Sequence, residues 1–196
     1  MSEIVLIPGF GGAADVDFVA PMLEREHHVS VVDATSRLET GRETILVGYS
    51  VGAVVAAVHA AVHPVGALVL ICGWERPTPR LVDWSRHAHD EAFARHTMVG
   101  PESERRPLVR PELLGLVETL PVPQLGGISC PTLVIGATFD LVATVHQARL
   151  LHGGIAESHY VELPTGHAML AERPAEVLSL VSAFAAQPTV APAVVR

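Results

Sequence analysis

Apolar residues fall along this chain in short unbroken runs separated by stretches of mixed character. The runs are "EIVLIPG" at 3–9, "HVSVVDA" at 28–34, "ETILVGYS" at 43–50, "GALVLICG" at 66–73, "PTLVIGA" at 131–137 and "HYVELP" at 159–164. They are six to eight residues long and rich in Val, Ile and Leu, and most of them show no regular alternation with polar positions. That is the signature of strands covered on both faces, as in a parallel sheet. Between them lie segments with helical spacing, predicted over 14–26, 51–62, 142–152 and 174–186. Strands alternating with helices predict an α/β fold of about six strands, mostly parallel, with helices on both faces.

Two stretches break this rhythm. Only "TSRLETGRE" separates the second strand from the third, where a parallel crossover usually takes a dozen residues or more, so a helix has little room there. Residues 75–120 contain no strand-like run and are rich in Arg, Pro, His and Glu, with Trp84 and Phe93 as aromatic anchors. They read as an inserted helical lid, dividing the core into 1–74 and 121–186. The end of the chain, 187–196, carries two prolines and reads as a flexible tail.

Composition removes several classes of function. A formal charge of -8 disfavours electrostatic binding of nucleic acid. All thirteen basic residues are arginine and the chain has no lysine, which excludes a Schiff-base or P-loop lysine. The chain is 49% hydrophobic, and 51–74 has no charged residue, long enough for a membrane span. His59, His63, Pro64 and Gly66 interrupt it, so it reads as a buried helix followed by a buried strand. No basic segment precedes the first strand, and a cytoplasmic location is expected. Cys72 and Cys130 fall at opposite ends of the predicted sheet and read as packed thiols.

Candidate chemistry gathers at the carboxyl ends of the strands, where parallel sheets bind ligands. Ser50 stands there in "GYSVG", at a strand-to-helix turn where Gly48 and Gly52 let strand and helix pass closely. A serine hydroxyl needs a base and an orienting acid to act as a nucleophile. His167 follows the sixth strand in "LPTGHAML" and Asp140 the fifth in "VIGATFD". The backbone N–H groups of Phe10, in "PGFGG", and of Val51 are candidate oxyanion donors. Phe10, Tyr49 and Trp74 are candidates for substrate binding, and Trp74 could equally anchor the lid. Asp33, also at a strand end, is a secondary candidate for the acid.

Through these motifs the sequence resembles the α/β-hydrolase family. "LIPGFGG" is similar to that family's oxyanion-loop segment, with proline where histidine is common, and "GYSVG" to its nucleophile elbow. "CPTLVIGATFD" and "PTGHAMLAERPAEV" resemble its acid and histidine segments. The resemblance implies a catalytic triad of Ser50, Asp140 and His167 in a serine hydrolase of esters, thioesters or lactones, with no cofactor and a small acyl substrate. It also implies a pared-down sheet, since two strands that usually come first and one helix are missing. The missing helix could widen the cleft or leave an apolar patch, and a homo-oligomer is possible. Acyl transfer, carbon-carbon cleavage, and a lyase-like or ligand-binding role on the same fold remain open. His87, His89, Asp90 and His96 read as polar lid surface rather than a metal site, and His59 and His63 as packed or helix-end histidines.

Overall fold

A computed structural model describes residues 2–186 except Phe18, Glu102 and Arg106. The tail expected at 187–196 lies outside the described residues, as does Arg106 within the expected lid. Six strands form one parallel sheet: β1 (Glu3–Ile7), β2 (His28–Val31), β3 (Thr44–Tyr49), β4 (Ala67–Ile71), β5 (Thr132–Ala137) and β6 (Ser158–Leu163). Their spatial order is β2-β1-β3-β4-β5-β6. Every residue of β3, β4 and β5 is buried, as their unbroken apolar runs require, whereas β2 and β6 are edge strands with exposed positions.

Alternate residues feed two cores. Val5, Ile7, Leu46, Leu68, Leu70 and Val134 face α2 (Val51–Ala60) and α7 (Val145–Gly154). Ile4, Leu6, Val47, Val69, Ile71 and Ile135 face α1 (Ala20–Leu23), α8 (Met169–Glu172) and α9 (Pro174–Ala185). The small side chains of Ala53, Ala56 and Ala57 bring α2 close to the sheet, and Pro174 starts α9 where its missing N–H costs nothing. The uncharged stretch 51–74 is α2 followed by β4, and no helix among the described residues is long and apolar enough to cross a membrane.

The helix predicted over 14–26 is broken. A single 3-10 turn spans Gly12–Asp15, and the α-helix begins only at Ala20. Pro21 explains the late start: proline has no N–H to donate and fits only the first turn of a helix. The second strand stops at Val31, three residues short of its predicted end. No helix lies between β2 and β3, as the short connection predicts, and a groove of about 230 Å³ lined by Ala34, Leu38, Val55, Val58, Val62 and Leu120, among others, occupies that side of α2.

Residues 79–119 carry α3 (Pro79–His87), α4 (Glu91–Met98), α5 (Pro111–Leu114) and α6 (Leu116–Thr119), with no strand among the described residues. Thr78 and Asp90 cap the first two, accepting from the N–H groups of Leu81 (3.2 Å) and Phe93 (2.8 Å). The segment is fastened by Leu81, Trp84, Met98, Leu113 and Val117, which join the core that also holds Phe10 and Trp74. Phe93, expected to anchor it, is only partly buried and packs against His87.

Candidate active site

Strand order reverses between β1 and β3, and a crevice opens at such a point beyond the carboxyl ends of the strands. The loops emerging there carry Phe10 after β1, Ser50 after β3, Cys72 and Trp74 after β4, Asp140 after β5 and His167 after β6. The Ser50 N–H extends the β3–β4 ladder by donating to the Ile71 carbonyl at 2.8 Å, and the next residue begins α2. Reversing direction in one residue forces Ser50 to φ 56°, ψ -122°, a region that costs a non-glycine residue on the order of 1–3 kcal/mol. A Cβ on Gly48 would strike the backbone of Gly52 and Ala53, and one on Gly52 the carbonyls of Ile7 and Pro8. Both positions need glycine because backbone meets backbone there.

Ser50 Oγ lies 2.7 Å from His167 Nε2, and His167 Nδ1 lies 2.7 Å from Asp140 Oδ2. A carboxylate only accepts, so Nδ1 carries the proton and Nε2 is free to take the one on Ser50. The second oxygen of Asp140 accepts from the N–H groups of Val142 (2.8 Å) and Ala143 (2.9 Å), which fixes the carboxylate plane. Ser50, Asp140 and His167 are 1%, 3% and 0% exposed. A hydroxyl bonded to an imidazole that a buried carboxylate orients is an arrangement able to activate an oxygen nucleophile.

The histidine is braced from below and from the side. Tyr49, a sequence candidate for substrate contact, is buried; its ring stacks on His167 and its hydroxyl donates to the His167 carbonyl at 2.8 Å. Burial, with Asp15 and Cys72 adding to it, holds the Tyr49 phenol well above its usual range. The N–H of Ala168 donates to the Met98 carbonyl at 2.7 Å, and Glu172 accepts the N–H of Gly100 at 2.9 Å. The histidine loop is thus tied to the end of α4.

The loop after β1 turns tightly, with Gly12 at φ +64° donating its N–H to the Gly9 carbonyl. Phe10 is 1% exposed; its ring stacks on Trp74 at 6.2 Å and packs against Trp84 of α3 at 5.3 Å. Trp74 is itself fully buried and packs with Phe10 in the core that the helical segment joins. Trp84 Nε1 donates to Thr97, pinning α3 to α4.

Other sequence candidates lie apart from this cluster. Asp33 accepts from Thr35 and pairs with Arg110, bonds that hold its carboxyl below the usual range. His87 contacts the Asp83 carbonyl and Asp90 caps α4. His59 stacks on His63 at 4.4 Å and bonds Thr40, and burial, then the neighbouring His63, pushes its pKa down.

Three residues of this region carried no sequence signal. Cys72 is buried with φ 50°, and its thiol, Asp140 and His167 present donor atoms within 4.8 Å of one another. A tetrahedral zinc uses such a set, but here Asp140 and His167 are bonded to each other, and burial, then Asp140, pushes the Cys72 thiol pKa well up. Glu172, at the end of α8, bridges Gly100 and Gly166. Asp15, in the 3-10 turn, accepts the Gly11 N–H at 2.9 Å.

A family model described as the alpha/beta hydrolase family matches residues 4–180, and the chain belongs to that family. Three solved structures illustrate the likeness. The enol-lactonase from Burkholderia xenovorans LB400 is 22% identical, with a TM-score of 0.75 over 95% of this chain and 92% of that one. A hydrolase from Pseudomonas aeruginosa PA01 is 19% identical, with a TM-score of 0.75 over 95% and 90%. Est816, an N-acyl homoserine lactone degrading enzyme, is 19% identical, with a TM-score of 0.73 over 94% and 93%. At these identities the likeness is one of fold. No curated protein matches the chain by sequence.

Proposed function

We propose that the protein is a serine hydrolase that cleaves a carboxylic ester, thioester or lactone through an acyl-enzyme. The observation that carries this reading is the pair of 2.7 Å contacts joining Ser50, His167 and Asp140 on three strand ends, with Ser50 held in a strained turn. Ser50 Oγ attacks the substrate carbonyl while its proton passes to His167 Nε2, and Asp140 stabilises the imidazolium that forms. The oxyanion receives the N–H groups of Phe10 and Val51. As the intermediate collapses, His167 protonates the departing alkoxide or thiolate. Water, activated by the same histidine, then releases the acid. In a lactone the leaving oxygen stays tethered to the acyl chain.

In this reading substrate reaches the buried Ser50 and His167 when residues 75–120 move as a lid and draw Trp84 away from Phe10. The names of two neighbours, an enol-lactonase and a homoserine-lactone-degrading enzyme, favour including lactones in the first screen. The test is turnover of p-nitrophenyl esters, acyl thioesters and lactones of graded chain length. Hydrolysis of one class by the wild type and none by a folded Ser50→Ala variant supports the reading; equal turnover by both overturns it.

A further inference from the structure

Asp15 is a partly buried acid that takes no part in the proposed mechanism. It lies against the loop after β1, and among the described residues no salt bridge is formed to its carboxylate. Gly11 donates its N–H to Asp15 Oδ2. A Cβ on Gly9 would lie 2.9 Å from Asp15 Oδ2 and 2.9 Å from Ser50 Cβ, and one on Gly11 would collide with the Asp15 carboxylate itself. The two glycines therefore make the space that the carboxylate fills, at the foot of Ser50.

The consequences for the loop follow from peptide planarity. The Phe10–Gly11 peptide is held from both sides: its N–H by Asp15, its carbonyl by the N–H of Arg110 at 2.7 Å. The Gly9–Phe10 peptide has its carbonyl drawn to the Gly12 N–H at 3.1 Å, and in a planar trans peptide the Phe10 N–H then points the opposite way within the same plane. Asp15 is the one side chain among these restraints, and removing it leaves the peptide next to the oxyanion donor held on its carbonyl side alone.

Resting on the serine-hydrolase reading, we propose that Asp15 is a positioning residue for the oxyanion loop, its carboxylate fixing the Phe10–Gly11 peptide and adding negative charge that favours the imidazolium of His167. Burial raises its pKa to about 6, against the pull of the Gly11 amide, His167 and the Gly9 amide. The groups facing it are His167 from the loop after β6 and Tyr49 and Ser50 from the end of β3. Arg110 lies across Gly12, paired with Asp33 and Glu112. The carboxylate opposes the oxyanion and supports the imidazolium, and a charged His167 is the partner whose pull lowers the Asp15 pKa. Ionised Asp15 is therefore the faster form.

The experiment is the second-order rate of Ser50 modification by a fluorophosphonate, read by intact mass from pH 4.5 to 8.5. The adduct places an oxygen where the oxyanion forms and requires no knowledge of the natural substrate. Wild type, Asp15→Asn and Asp15→Ala are compared, with Ser50→Ala as the blank. Asp15→Asn keeps an acceptor for the Gly11 N–H and should react within several-fold of wild type, whereas Asp15→Ala should be slower by roughly tenfold or more at every pH. The ratio of wild-type to Asp15→Asn rates should climb from near one below pH 5 to several-fold above pH 7, with its midpoint near 6. A wild-type rate in Asp15→Ala, or a ratio that is flat or falls with pH, overturns the inference and leaves the serine-hydrolase reading intact. No Ser50-dependent adduct on folded wild type overturns both.

Discussion

Replacing Asp15 by Asn should stabilise the protein at neutral pH, even though it removes an acceptor's charge from a loop that uses it. The carboxyl is raised from 3.8 to about 6 in the folded state, chiefly by burial. The folded protein therefore holds a proton on Asp15 through a pH window in which the unfolded chain has released it. By linkage the stability due to this group is complete below pH 4 and is lost as pH rises through that window. At about 1.4 kcal/mol per pH unit, the gap between 3.8 and about 6 amounts to at most about 3 kcal/mol. Integrated over pH, the cost of ionising Asp15 is about 0.5 kcal/mol at pH 4 and about 3 kcal/mol at pH 7.5. Asn mimics the protonated acid at every pH, so its advantage over wild type should grow by about 2 kcal/mol between those values. Any pH-independent cost of the amide cancels in that comparison. Urea unfolding followed by the fluorescence of Trp74 and Trp84, both buried, reads it directly. A difference between the two proteins that is constant with pH, or that shrinks toward neutrality, would refute the reasoning.

Three further outcomes follow from the same geometry. Ser50→Gly should be more stable than Ser50→Ala by about 1–2 kcal/mol in thermal or urea unfolding, the reverse of the usual order, because glycine alone adopts φ 56° without strain. Asp140→Asn should keep the fold while lowering turnover of whichever ester is hydrolysed by roughly 10³–10⁴-fold, since an amide cannot hold His167 in the required tautomer. Trp84→Ala should cost about 3–5 kcal/mol in urea unfolding, because the ring is 3% exposed and packed on Phe10.

The central strands were legible because each is buried on both faces, so its run of apolar residues tolerates no interruption. Ser50, Asp140 and His167 were legible for a related reason: each ends a strand whose place in the sheet the sequence already implies. Burial of an edge strand is one-sided, and β2 ends at Val31 where the apolar pattern continues to Ala34. The helix predicted over 14–26 from its spacing is broken because Pro21, lacking a donor, fits only the first turn and so sets where the helix begins. Of the glycines in the loop after β1 only Gly12 has a positive φ. The other two make room for a carboxylate further along the chain, a contact that no periodicity announces. The same holds for Glu172 and Cys72, whose partners lie 72 and 68 positions away in sequence.

The most direct test of the central claim is intact mass after exposure to a fluorophosphonate, for wild type, Ser50→Ala and His167→Ala at pH 7.5. The account predicts one adduct on wild type and none on either variant within the same time, with all three giving the same circular dichroism. An adduct that persists in Ser50→Ala, or no adduct on folded wild type at long exposure, would contradict it.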